Sequence, residues 1–289
     1  MQGGWQDTRG AVAATAHLAT AARSTAGAAV RRIRREVDWQ RRRSALQLRV
    51  EAPELFEHLV AQHASPTRRV LAGVDAALQV SKETNLALAA DRLDGRVLRP
   101  GQRLSFWFQV GRPTARRGYL PGVVLSQGRV ISGVGGGLCQ LTNLLYWMTL
   151  HTPLTVVERW RHSYDVFPDS GRTLPFASGA TCAWPSLDLQ IENRTAHAFR
   201  LSVAVVDQEL RGSWSSDAAP LHRYRVYEAA HRIANDSPGV HTRHNVLRRT
   251  VLDLDGLEIA DELVAENHAL MMYEPFLGAG PVRLPLDPV

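Results

Sequence analysis

A thiol acts as a nucleophile only as its thiolate, and a free cysteine keeps its proton at neutral pH. The stretch "GVGGGLCQLTNLLYWMTL", Gly133 to Leu150, gives Cys139 two features that favour the anion. Gly135-Gly136-Gly137 lets the backbone approach closely and leaves amide N–H groups unobstructed. Leu141, Leu144, Leu145 and Met148 recur at three- and four-residue steps, which predicts a helix with the thiol in its first turn. A helix N-terminus presents unpaired N–H groups and about half a positive charge, so an anion is favoured there. The same donors, with Gly136 and Gly137 beside them, would hold the oxyanion of an acyl transfer. A plainer reading stands next to this one. Cysteine is among the most buried residue types, and a glycine-rich helix entry also suits close packing.

A cysteine enzyme needs a base. His151 lies twelve residues down the same helix, about 18 Å away along its axis, so it cannot serve Cys139 within that element. His162, in "RWRHSYDVFPDSG", sits in the next segment and is the candidate base, with Asp165 or Asp169 to orient its ring. Arg161 and Arg172 suit a substrate carboxylate. Cys182, in "SGATCAWPS", reads as a buried filler, and Phe106, Trp107 and Phe108 read as core. His241 and His244 lack a carboxylate or cysteine at ligand spacing, so no metal is expected. "GVGGG" has neither the lysine of a phosphate loop nor dinucleotide-fingerprint spacing, and no cofactor is expected.

The surrounding elements must bring these residues together. Residues 8–48 read as weakly amphipathic helix, and a second helical pattern runs from Ala64 to Ala90 with Val70, Leu71, Val74, Leu78 and Val80 as its apolar set. Asp94-Gly95 and Pro100-Gly101 mark turns around a short strand. The helix after Cys139 ends near His151-Thr-Pro153. Leu154–Val157, Leu187–Glu192 and Phe199–Val206 read as strands, as do "YRVYEAAHRI" and "VLRRTVLDLDGLEI". The class is α+β: N-terminal helices, then a mainly antiparallel β core with one buried helix after the GGGLCQ loop. The expected division is a basic helical arm over 1–60 and a domain over 61–289, its core about 65–275.

At 289 residues, 45% hydrophobic and 21% charged, the composition is that of a globular protein. Two cysteines are too few for a disulfide framework and point to a reducing compartment or one functional thiol. The net charge of +6 is local: residues 1–50 hold ten arginines against Asp7, Glu36 and Asp38, leaving the rest near −1. The arm reads as solvated, with peripheral contact to an anionic membrane as the functional alternative. No motif points to specific nucleic-acid binding. "AVAATAHLATAARSTAGAAV" is too weakly apolar for a signal core or a span, so a cytoplasmic location is expected.

Taken as a set, "PGQRLSFWFQVG", "RGYLPG", "GGGLCQLTNLLYWMTLH", "VVERWRHSYDVFPDSGR", "LDLQIENRT" and "NHALMMYEP" resemble the VanW family, named after a gene of glycopeptide (vancomycin B-type) resistance clusters. The resemblance runs from about residue 65 to 275 and is to the short form, without the membrane anchor and repeated extracellular modules of longer relatives. Some anchored clostridial relatives are regarded as peptidoglycan L,D-transpeptidases with a cysteine nucleophile in "GGGxCQ". Carried over, the nucleophile is Cys139, Gln140 stands beside it, and His162-Ser163 matches the "HS" element. After "HS" this chain reads Tyr164-Asp165-Val166-Phe167-Pro168, where longer relatives have Pro-Val and a Tyr-Val-Pro-rich segment. The implied function is acyl transfer on peptidoglycan-type peptides or precursors. The alternative is a non-catalytic accessory or binding protein of the glycopeptide or envelope-stress response.

Overall fold

The computed structural model describes residues 27–68, 76–126, 128–166 and 173–275. Helix α1 covers residues 27–41 and α2 covers Arg43–Leu46. Strands β1 (Arg49–Val50) and β2 (His58–Pro66) precede helix α3 (Ala76–Ala90). Strands β3 (Arg96–Leu98) and β4 (Arg103–Ser105) lead to the short helix α4 (Phe106–Val110). A ribbon of β5 (Pro121–Ser126) and β6 (Arg129–Val134) delivers the chain to α5 (Cys139–Thr149). Then come β7 (Thr155–Glu158), β8 (Tyr164–Asp165), β9 (Gln190–Glu192), β10 (Phe199–Val206), β11 (Glu209–Ser216), β12 (Arg223–Ser237), β13 (Val240–Leu252) and β14 (Glu258–Met271).

The class is α+β, as the sequence predicts. A five-stranded antiparallel sheet has the order β1-β3-β10-β11-β2, and a three-stranded one the order β4-β9-β7. The third sheet, β12-β13-β14-β8, is antiparallel except where β8 joins β14 in parallel, Leu270 against Tyr164. Strand β10 is legible by alternation, because Phe199, Leu201 and Val203 all point into the core. Its hairpin to β11 turns on Asp207 and Gln208, both with positive φ (51° and 61°), as a two-residue loop matched to strand twist demands.

Helix α5 lies against β2 and β11, and α3 against β10. Leu141, Leu144, Leu145 and Met148 of α5 are all buried in the main core. Each side chain of that kind contributes about 2 kcal/mol by leaving water. Among the described residues no helix is long and apolar enough to cross a membrane.

Two sequence expectations change. The pattern from Ala64 predicts helix, yet the chain is strand up to Pro66, with Pro66 opposite Glu209. The more buried positions of β2 are Val60, Ala61, His63 and Ser65, which leave no apolar alternation to read. In α3 the buried residues are Gln79, Lys82, Asn85, Leu86, Ala89 and Ala90, whereas Val80 is 51% exposed. Val70, Leu71 and Val74 lie outside the described residues. The N-terminal stretch also supplies core, since Trp39, Leu46 and Leu48 are buried and β1 and β2 join the five-stranded sheet.

An ion network fixes α1 to the strands beneath it. Arg35 donates to both carboxylate oxygens of Glu158 at 2.7 and 2.5 Å and to the Ser186 carbonyl at 3.0 Å. Fully buried Asp188 accepts from Ser105 Oγ at 2.5 Å and from the Trp107 amide at 3.0 Å. Burial pushes the Asp188 carboxyl up to about 6, against the pull of those two bonds. Trp160 Nε1 also donates to Glu158, so the network reaches the segment that leads to His162.

The sign for Asp188 is that of a raised acid. Its contribution to stability is whole below the usual 3.8 and is lost as pH rises through about 6. Relative to Asp188→Asn, wild type should lose about 3 kcal/mol between pH 3.5 and pH 7, read by urea unfolding at a series of pH values. A difference that does not change with pH would contradict the buried charge.

Candidate active site around Cys139

The glycine run is held from three sides. The buried Asn85 amide donates to the carbonyls of Leu120 and Gly136, both at 2.9 Å, and its oxygen accepts from the Leu120 amide at 2.8 Å. Gly136 lies backbone to backbone on Gly122, so that a Cβ on Gly136 would meet Gly122 C at 2.2 Å. Gly137 has φ +92°, and its missing Cβ leaves the space that the Lys82 stem occupies. The two glycines expected beside a substrate thus have packing roles that require glycine.

The helix that follows starts without a side-chain cap. Leu138 is the N-cap and its side chain offers no hydrogen bond; its carbonyl accepts from Leu141 N at 3.0 Å, while Gln140 N donates to Gly137 O at 3.0 Å. Cys139 therefore stands in a first turn whose amides keep their positive character.

Around its sulfur are two groups from the 181–182 segment and one from the segment after β7. Cys139 Sγ lies 3.3 Å from Thr181 Oγ1 and 3.9 Å from Cys182 Sγ. Thr181 Oγ1 lies 3.0 Å from His162 Nε2. The Cys139 thiol is held well below the ordinary cysteine range. The largest cause is the hydrogen bond from Cys182; burial opposes it, and His162 and Thr181 add to the lowering. Cys182 moves the opposite way, pushed well up by burial and by the bond to Cys139 and its charge.

The placement is built by backbone bonds. Thr142 Oγ1 donates to the Ala180 carbonyl at 2.6 Å, and Asn143 Oδ1 accepts from the Ala180 amide at 2.8 Å. The Thr181 amide donates to Trp160 O at 2.8 Å in an antiparallel bridge. Arg159 locks the same loop. Its guanidinium donates to Gly179 O at 3.0 and 2.8 Å, to Ala177 O at 2.5 Å and to Asn267 Oδ1 at 3.1 Å, over the Tyr146 ring at 4.8 Å.

Cys139 and His162, joined from spacing alone, do come together. Asp165, expected to orient His162, is buried and accepts from Arg243 Nη1 at 3.2 Å and the Tyr273 hydroxyl at 2.9 Å. Gln140 Nε2 donates to Ser65 Oγ at 2.9 Å and Pro66 O at 2.8 Å, which ties α5 to β2. Arg161 donates to the carbonyls of His268 and His162. The Ser163 side chain is exposed, while its carbonyl accepts from Leu270 N at 3.0 Å. Asp169 and Arg172 lie outside the described residues. His151 donates Nδ1–H to Trp147 O at 2.9 Å, within its own helix.

Two residues at the sulfur were not foreseen as functional. Thr181 had no signal beyond its hydroxyl, and Cys182, expected as buried filler, is partly exposed beside Cys139. A separate cleft of about 530 Å³ opens on β12–β14, lined among others by His231, Arg232, His244, Glu266 and His268. His244 and His268 meet there at 2.9 Å between their Nδ1 atoms. Strand period explains why His244 pairs across to β14 rather than with His241, which lies three residues away on the opposite face.

Residues 81–215 match the family model described as "VanW like protein". The chain is 30% identical over 201 residues to the "Vancomycin B-type resistance protein VanW" of Enterococcus faecalis (strain ATCC 700802 / V583), covering 70% of this chain and 73% of that protein. It is also 30% identical over 114 residues to the "Uncharacterized protein YoaR" of Bacillus subtilis (strain 168), covering 39% of this chain and 36% of the other. No solved structure matches it. With that identity spread across most of both chains, and with the glycine run, Cys139 and His162 inside the matched residues, the protein belongs to the VanW family.

Proposed function

We propose that the protein is a cysteine acyl transferase acting on peptidoglycan-type peptides. The observation that carries this reading is the contact chain Cys139–Thr181–His162 at the uncapped start of α5. His162 Nε2 takes the Cys139 proton, directly or through the Thr181 hydroxyl, and the resulting thiolate attacks a peptide carbonyl. The Cys139 amide, at the first position of α5, holds the oxyanion, since the Gln140 and Leu141 amides already donate to Gly137 O and Leu138 O. His162 then protonates the leaving amine, and an acceptor amine or water resolves the thioester. The substrate class follows from the resistance protein among the relatives, since glycopeptide resistance concerns wall peptides.

A second reading, a non-catalytic binding or accessory protein, draws support from the packing of Gly136 on Gly122, which explains the glycine run without catalysis. The two separate at the sulfur. Serine keeps the size of Cys139 but is a far poorer nucleophile, so retained biological function in Cys139→Ser would favour the accessory reading.

Iodoacetamide labelling across pH 5–9 tests the thiolate. Because the Cys139 pKa is lowered, its alkylation should reach its plateau at a lower pH than that of a model thiol, and its rate at pH 6 should exceed the model thiol's. Incubation with a wall tetrapeptide should give a thioester on Cys139 by mass spectrometry. His162→Ala should slow its formation by about 10²- to 10⁴-fold, and Thr181→Val by a smaller factor with the alkylation profile shifted to higher pH. No adduct, with labelling no faster than the model thiol at pH 6, would end the acyl-transfer reading.

A further inference from the structure

We propose that Cys139 and Cys182 form a reversible disulfide when a hydroperoxide enters the site. The chain has two cysteines, one at the first position of α5 and the other 43 residues later, and their sulfurs lie 3.9 Å apart. Both residues are partly exposed. Their proximity is built in. The segment carrying Cys182 is pinned to α5 through Thr142 and Asn143, and to Trp160 through Thr181, while Ala183 is bridged to Leu187. Closing 3.9 Å to the bond length of about 2.05 Å asks for side-chain rotation and a small backbone adjustment.

The chemistry runs in two balanced steps. The Cys139 thiolate attacks the terminal oxygen of the hydroperoxide; an S–O bond forms, the O–O bond breaks, and the alkoxide or hydroxide leaves and takes a proton from water. Cys182 Sγ then attacks the Cys139 sulfenyl sulfur; the S–S bond forms, the S–O bond breaks, and hydroxide leaves with the Cys182 proton as water. The peroxide gains two electrons and each sulfur gives one. An external dithiol reverses the change by two exchange steps.

The coupling of the two sulfurs sets the order of events. Burial keeps the proton on Cys182, and the hydrogen bond to Cys139 and the charge of its thiolate add to that hold. Converting Cys139 to the neutral sulfenic acid removes that charge, so Cys182 becomes more acidic just when a second thiolate is needed. The disulfide then covers Cys139 against further oxidation and withdraws it from acyl transfer. The inference needs a reactive Cys139 but no acyl transfer, so a protein that closes the disulfide and forms no thioester would refute only the proposed function.

The test uses the full chain, reduced and then exposed to hydrogen peroxide or tert-butyl hydroperoxide at pH 7. Titratable thiols, read after denaturation, should fall from two to none. Non-reducing peptide mapping should give a Cys139–Cys182 linked peptide, and dithiothreitol should restore both thiols. Cys182→Ser, which keeps a donor toward Cys139 and is checked for folding by circular dichroism, should instead trap with dimedone at Cys139 and proceed to the sulfinic acid. Sulfinic acid at Cys139 of wild type with Cys182 still reduced would overturn the proposal, and so would a disulfide found only between molecules.

Discussion

The Arg159 guanidinium is the interaction on which the site depends. It comes from the chain just after β7 and bonds to carbonyls of the 177–179 loop and to Asn267 of β14, while stacking on Tyr146 of α5. A buried cation normally needs a carboxylate to offset desolvation. Here carbonyl and amide dipoles with an aromatic face do so, and burial lowers the Arg159 pKa, with Tyr146 opposing that shift. Four parts of the chain far apart in sequence are thereby held to one geometry, and the space between them contains Cys139, Thr181 and His162. A lysine, a compact point charge, could not serve the loop carbonyls, the amide and the ring from one planar group.

The Arg35 network supports this arrangement from the other face. Glu158, the residue before Arg159, is held by Arg35, Gln190 and Trp160 together. The strand β7 therefore leaves the three-stranded sheet with its direction already set. Helix α1 takes part in positioning the site through Arg35 and through Trp39, whose ring meets Trp184 two residues beyond Cys182.

What the sequence made legible follows the range of the interactions. The turn-to-helix passage at Cys139 is local: glycines, then apolar residues at helical spacing, and the structure has that passage. Strand β10 is equally local, since alternation at Phe199, Leu201 and Val203 needs no knowledge of a partner. The exclusion of His151 was geometric and came from helix rise alone. In contrast, β2 became visible only through its partner β11, because its buried positions, Val60, Ala61, His63 and Ser65, do not alternate apolar with polar. Thr181 and Cys182 meet Cys139 at separations of 42 and 43 residues, through a loop with no periodicity of its own. Asp165 shows the converse. Its place three residues after His162 suggested an orienting carboxylate, and the fold gives it Arg243 and Tyr273 as partners. The role of Gly136 was likewise hidden, because it depends on the backbone of Gly122 from another strand.

The position of Lys82 bears on how the protein can be handled. It is the single lysine in a chain otherwise rich in arginine, and it is 8% exposed with its stem against Gly137. No exposed side-chain amine is therefore offered to acetyl donors, amine-directed cross-linkers or activated resins. Guanidinium groups on the surface keep the molecule cationic while presenting nothing for such reagents to acylate. The stem of that single lysine packs on Gly137, so the one amine-bearing side chain of the protein belongs to the support of the loop that leads into Cys139.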